Sequence, residues 1–184
     1  MRQFRAIRRT AGSLLVLALA TATSSVAAAQ SCHPLEGSWR LSLRESQMGP
    51  SLSFSPYYTV RNVGLRLREE GTRIEERWSF SGRHLHETWS YSFRPDGRPQ
   101  PTRTKSVLYG VPTSVIARWQ NCTLIVDGLS SLFGLRISTL NTYVFSPDGQ
   151  TLTILETSDS PIMHLSRRLV FERVKSADTT AEGR

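Results

Sequence analysis

From residue 37 onward, apolar and polar positions alternate in short runs. Trp39-Arg40-Leu41-Ser42-Leu43-Arg44 alternates strictly, and Val63, Leu65 and Leu67 alternate with Gly64, Arg66 and Arg68. A period of two puts successive side chains on opposite faces, which marks a half-buried strand. Ile74, Trp78 and Phe80 define one face of a third run; Leu85, Trp89, Tyr91 and Phe93 define one face of a fourth. Further strand-like runs cover 106–110, 114–119, 122–127, 136–145, 150–157 and 165–174. No segment carries a helical period. Roughly eight to ten short strands in succession predict an all-β fold, a single antiparallel up-and-down barrel whose closure removes exposed edges.

The turns support this order. Pro95-Asp96-Gly97 and Pro147-Asp148-Gly149 each follow a Phe that ends a strand. Proline presets φ, aspartate bonds back to the backbone, and glycine takes the left-handed position. Glu69-Glu70-Gly71-Thr72 and Ser81-Gly82 are further turn signals. Ser46 to Ser55, and the proline-punctuated stretch Arg98 to Thr104, read as loops.

The two ends fall outside the pattern. Residues 1–29 read as a signal peptide: Arg2, Arg5, Arg8 and Arg9 precede an apolar stretch from Ala11 to Ala20, and Ala27-Ala28-Ala29 forms a cleavage site. The apolar stretch is shorter than the roughly 20 residues that span a bilayer. Export to the periplasm or the exterior is therefore expected, with no transmembrane segment in the mature chain. Residues 30–35 form an N-terminal segment, 36–175 the barrel, and 176–184 a polar tail. Cys32 stands where a lipid-modified cysteine could stand, but Gln30 breaks the leucine-rich, small-residue tripeptide that normally precedes one.

Removing the leader changes the reading of charge. The whole 184-residue chain has a formal charge of +8. The four leader arginines account for half of it, and the remaining acids and bases are interspersed, which argues against nucleic acid as a partner. Two cysteines, Cys32 and Cys122, in an exported chain predict one disulfide. It would close a loop of about 90 residues and contribute about 4–5 kcal/mol on the chain-entropy model.

Gly37-Ser38-Trp39-Arg40-Leu41, placed after the leader and opening the first strand, resembles the G-x-W signature of the lipocalin/calycin superfamily. Leu35 to Ser42, Ser46, the PDG hairpin and the final Leu169-Val170-Phe171-Glu172-Arg173 are also similar to small exported bacterial lipocalin-like domains of unassigned function. The resemblance covers about a third of the mature chain. It implies an eight-stranded barrel with an apolar cavity for a small lipophilic ligand. It also implies that Trp39 closes the barrel floor under a stacked cation, Arg173 first and Arg168 second. The chain departs from the full lipocalin pattern in lacking a C-terminal helix.

Candidate chemistry is sparse. His84 and His86 share a strand face and could both reach one metal ion, but a third ligand is not visible. They fall on the face opposite Leu85, Trp89, Tyr91 and Phe93, beside Thr88, Ser90 and Ser92, so a solvated strand face is the reading and no metal is assigned. Alternation puts Glu87 among the inward residues, and the cost of burying a lone carboxylate puts it near the mouth. The charged run Arg68 to Arg77 reads as a solvated hairpin tip. Gly128 to Gly134 is either a lid or a hairpin, and it lacks the closing glycine of a nucleophile elbow. No nucleophile–base pair or phosphate loop is present, so neither enzyme activity nor a cofactor is expected. The expected function is to hold a small hydrophobic molecule inside the barrel, with Trp78, Glu87, Trp89, Tyr91 and Phe93 lining the site. The alternative is a filled barrel that acts through its surface, as an envelope interaction module or protease inhibitor, with Leu129 to Phe133 as its contact.

Overall fold

The computed structural model describes residues 35–48, 60–83, 86–102, 112–132 and 134–175. Ten strands follow one another: β1 (Gly37–Leu41), β2 (Val60–Glu70), β3 (Arg73–Gly82), β4 (His86–Phe93), β5 (Asp96–Pro101), β6 (Ser114–Gln120), β7 (Thr123–Leu132), β8 (Leu135–Phe145), β9 (Thr151–Ser160) and β10 (Met163–Arg173). There is no helix among the described residues. The expectation over 106–110 lies outside the described residues.

All ten strands form one antiparallel sheet in the order β4-β3-β2-β1-β10-β9-β8-β7-β6-β5. Sequence neighbours pair everywhere except between β4 and β5, and β1 pairs with both β2 and β10, which joins the two ends of the chain. The resemblance implied eight strands, and the barrel has two more. It is nearly closed: β4 and β5 are adjacent in sequence but occupy the two ends of the strand order.

That seam corrects two expectations. The Pro95-Asp96-Gly97 turn does not close a hydrogen-bonded hairpin, and the stretch expected to be a loop from Arg98 is largely strand β5. Proline is excluded from central strands because it has no N–H to donate, but it fits an edge strand. Pro99 and Pro101 lie on such an edge, paired on one side only, with Ile116 and Ser114 of β6. Across the seam a side chain replaces the ladder: the Arg94 N–H donates to Gln100 Oε1 at 2.8 Å, and Gln100 Nε2 donates to the Arg94 carbonyl at 2.6 Å. In both PDG turns the aspartate accepts a bond from the backbone two residues on, Arg98 N–H to Asp96 and Gln150 N–H to Asp148, each at 3.0 Å. Gly97 and Gly149 take φ of 75° and 66°.

The turns at Gly71-Thr72, Asn121-Cys122 and Pro147-Asp148-Gly149 lie at one end, here the floor. The opposite end, where β3, β7 and β9 finish, is the mouth. At the floor, Trp39 is buried and the Arg173 guanidinium stands 4.9 Å over its ring. Arg173 Nη2 also donates to the Glu36 carbonyl. A Cβ on Gly37 would come within 2.8 Å of Arg173 Nη2, so the glycine of the G-x-W sequence makes room for the cation. Leu65, Leu67, Phe93, Leu124, Leu152, Ile154 and Phe171, each at most 2 % exposed, complete the apolar core.

The sequence predicts a Cys32–Cys122 disulfide. Cys122 is a free, half-buried thiol in the β6–β7 turn. β7 lies four strands from β1 around the sheet, roughly 19 Å of wall at about 4.8 Å per strand, so the turn is remote from the start of the barrel. Cys32 lies outside the described residues.

Candidate binding site

The barrel interior has two dissimilar walls. On β3 and β4 the inward positions are Ile74, Glu76, Trp78 and Phe80, facing Phe93, Tyr91, Trp89 and Glu87 respectively across the ladder. Trp78 stacks on Trp89 across the ladder, and same-face neighbours two residues apart on each strand extend the row. Trp78 and Trp89 centroids are 5.5 Å apart, Trp78 and Phe80 5.9 Å, Trp89 and Tyr91 5.7 Å, and Tyr91 and Phe93 5.7 Å. Four of the five residues proposed from the sequence as ligand-lining thus form one continuous aromatic surface. The fifth, Glu87, is opposite Phe80 at the mouth end, half-buried.

The facing wall, on β7 to β10, is polar toward the mouth. Asn141, Glu156 and Arg167 lie on one rung of β8, β9 and β10, with Thr139, Ser158 and Leu165 on the next rung toward the mouth. Arg167 Nη2 donates to Glu156 Oε1 at 2.5 Å, and both side chains are about 15 % exposed. Ser158 Oγ donates to the same Glu156 oxygen at 3.2 Å and lies 3.3 Å from Thr139 Oγ1. Three buried polar atoms on this wall have no partner among the described residues: Arg167 Nε, Asn141 Oδ1 and Ser130 Oγ.

Glu76 ties the walls together. It is 1 % exposed and accepts three hydrogen bonds: from Trp78 Nε1 at 2.5 Å, Tyr143 OH at 2.8 Å and Tyr91 OH at 3.0 Å. The Tyr143 bond runs from β8 to β3, across the interior. Burial raises the Glu76 pKa above the ordinary glutamate range. The three donors pull it down, and the nearby Glu156 charge adds a smaller push upward. Burial, then the Glu76 charge, holds both tyrosines well above their ordinary value, so they remain donors. Below the Glu76 level the barrel is filled. Above it, Phe80, Glu87, Trp89, Ile137, Thr139 and Asn141 point inward yet are only partly buried.

Sequence reasoning missed Glu76, Asn141, Glu156 and Arg167. The signal was present: Glu76 lies midway between Ile74 and Trp78 at period two, and the same count carries Tyr143 to Asn141, Ile154 to Glu156 and Leu169 to Arg167. The density of charge around Glu76 made its segment read as solvated. His86 is exposed and His84 lies outside the described residues. No group of three potential metal ligands occurs among the described residues. Gly128 to Gly134 resolves as the β7–β8 hairpin, with Ser130 facing in and Phe133 outside the described residues.

No family model matches the sequence. No characterised protein matches it either. Among solved structures it is similar to secretory abundant heat soluble protein 4 from Ramazzottius varieornatus, with a TM-score of 0.47 and 13 % identity over 77 % of this chain and 96 % of that one. It is also similar to a Schistosoma mansoni fatty acid binding protein in complex with arachidonic acid, with a TM-score of 0.46 and 11 % identity over 79 % and 99 % of the respective chains.

Proposed function

We propose that this protein is an exported, non-catalytic carrier that holds one small, largely apolar molecule in the upper half of the barrel. The observation that carries this reading is the aromatic surface of Phe80, Trp78 and Trp89, inward-pointing but with Phe80 and Trp89 only partly buried. Large rings that face a barrel interior and still meet solvent favour a ligand that would desolvate them, at about 25 cal/mol per Å² of apolar area removed from water. The leader in the sequence supports a periplasmic or extracellular destination. The Glu76 cluster is buried beneath this half.

The filled lower half and the exposed Leu140, Val144 and Leu155 on the outer face of β8 and β9 favour a second reading, a barrel that acts through its surface on an envelope protein. Native mass spectrometry of the exported protein offered a lipid extract separates the two. A discrete adduct of one small molecule, lost on unfolding, is expected. An unliganded mass with extract in excess would sink the carrier reading in favour of the surface one.

A further inference from the structure

The polar wall has an asymmetry that bears on which head group it accepts. Among the described residues, four charged side chains face the interior above the floor: Glu76, Glu87, Glu156 and Arg167. The one guanidinium is already engaged by Glu156 through Nη2. What the wall leaves unmatched is a donor, Arg167 Nε, and an acceptor, Asn141 Oδ1, on the same rung at either side of Glu156. Ser130 Oγ, on a residue 4 % exposed, is a third unmatched atom nearer the mouth, able both to donate and to accept. Buried polar atoms without partners are uncommon and costly.

Each head-group class meets this wall differently. A carboxylate can accept from Arg167 Nε, but it gives nothing to Asn141 Oδ1 and approaches the Glu156 carboxylate. An ammonium can serve Asn141 but cannot accept from Arg167 and is repelled by it. A hydroxyl or a primary amide both accepts and donates without charge, and so can serve either atom without opposing Glu156 or Arg167. We infer that the barrel selects an uncharged, hydrogen-bonding head group, a hydroxyl or primary amide on an apolar body, and discriminates against carboxylates. The inference rests on the carrier reading above. The apolar body lies against Trp89 and Phe80, and the head group lies over Glu156.

The test compares 1-dodecanol, dodecanoate and dodecylamine with the full exported protein at neutral pH, read by tryptophan fluorescence and by isothermal titration calorimetry. Dodecanol is expected to bind at least tenfold more tightly than either charged analogue. In Glu156→Gln, which keeps shape and hydrogen bonding but leaves the Arg167 charge unneutralised, dodecanoate is expected to gain at least tenfold relative to dodecanol. Asn141→Leu should weaken dodecanol about fivefold and leave dodecane binding unchanged. Dodecanoate binding as tightly as dodecanol in the unmodified protein overturns the inference without any variant, and so does a Glu156→Gln protein that folds but gains nothing for dodecanoate. Binding of none of the chains, dodecane included, overturns the carrier reading itself. Dodecane binding as tightly as dodecanol sinks only the head-group inference.

Discussion

Replacing Glu76 with alanine tests the tie between the walls. The carboxylate accepts from Trp78, Tyr91 and Tyr143, all in the interior. Removing it strands three donors. A buried donor left unsatisfied costs about 1–3 kcal/mol, so the loss should be about 2–6 kcal/mol even if one donor recovers a water partner. That is a large share of the roughly 5–15 kcal/mol that holds a typical domain. At about 2–4 °C per kcal/mol for a chain of this size, the melting temperature should fall by about 4 °C or more. Urea unfolding followed by tryptophan fluorescence is the assay, since Trp78 is itself a partner. Glu76→Gln is the control, because the amide oxygen can still accept from Trp78 and Tyr143 while the amide nitrogen donates to Tyr91. It should stay within about 1 kcal/mol of the parent in mild acid. The two should also diverge with pH. The folded chain holds the Glu76 proton to a higher pH than the unfolded chain does. The stability this group contributes is therefore fully present below the ordinary glutamate range and is lost as pH rises through the folded value. Glutamine has no such proton, so Glu76→Gln should gain on the parent as pH rises. A loss under 1 kcal/mol in Glu76→Ala, or a gap between Gln and Glu that stays flat with pH, would refute the reasoning.

Gly37→Ala should displace Arg173 from Trp39 and cost about 0.5–2 kcal/mol, the worth of a cation–π contact. In a double-mutant cycle with Arg173→Met the two losses should not add, whereas full additivity would mean that the two residues do not communicate. Cys122 should react with iodoacetamide in the unreduced, folded protein, giving a single carbamidomethyl mass shift on the peptide that holds it, and an unlabelled Cys122 would restore the disulfide expectation. Gln100→Ala should change global stability by less than about 1 kcal/mol, since its bonds are exposed, while speeding hydrogen exchange at the Arg94 amide.

Alternation made most of the strands and the inward aromatic row legible, because Val63 to Leu67 and Trp89 to Phe93 keep period two over several residues. The PDG turns were legible because their chemistry is local. The seam was not, since whether a proline-bearing segment is loop or edge strand depends on what lies beside it in space, and Pro99 finds Ile116. The polar wall was harder still. Glu76 and Tyr143 are 67 positions apart, and only the curvature of the sheet brings them together. A lone charge inside an alternating run reads as surface until its partner across the barrel is known.

The seam has a consequence for how this molecule meets its own copies. A sheet that ends offers a row of free backbone groups on which another chain can build. Here one of the two ends is β5, where Pro99 and Pro101 supply no N–H, and the Gln100 amide already occupies both backbone groups of Arg94. The wall can thus stay unzipped along one line without becoming a template for strand addition and fibre growth. Substituting Pro99 and Pro101 with threonine would leave the interior untouched and give that edge the donors it lacks, so the first change in such a variant belongs to its solubility rather than to its ligand.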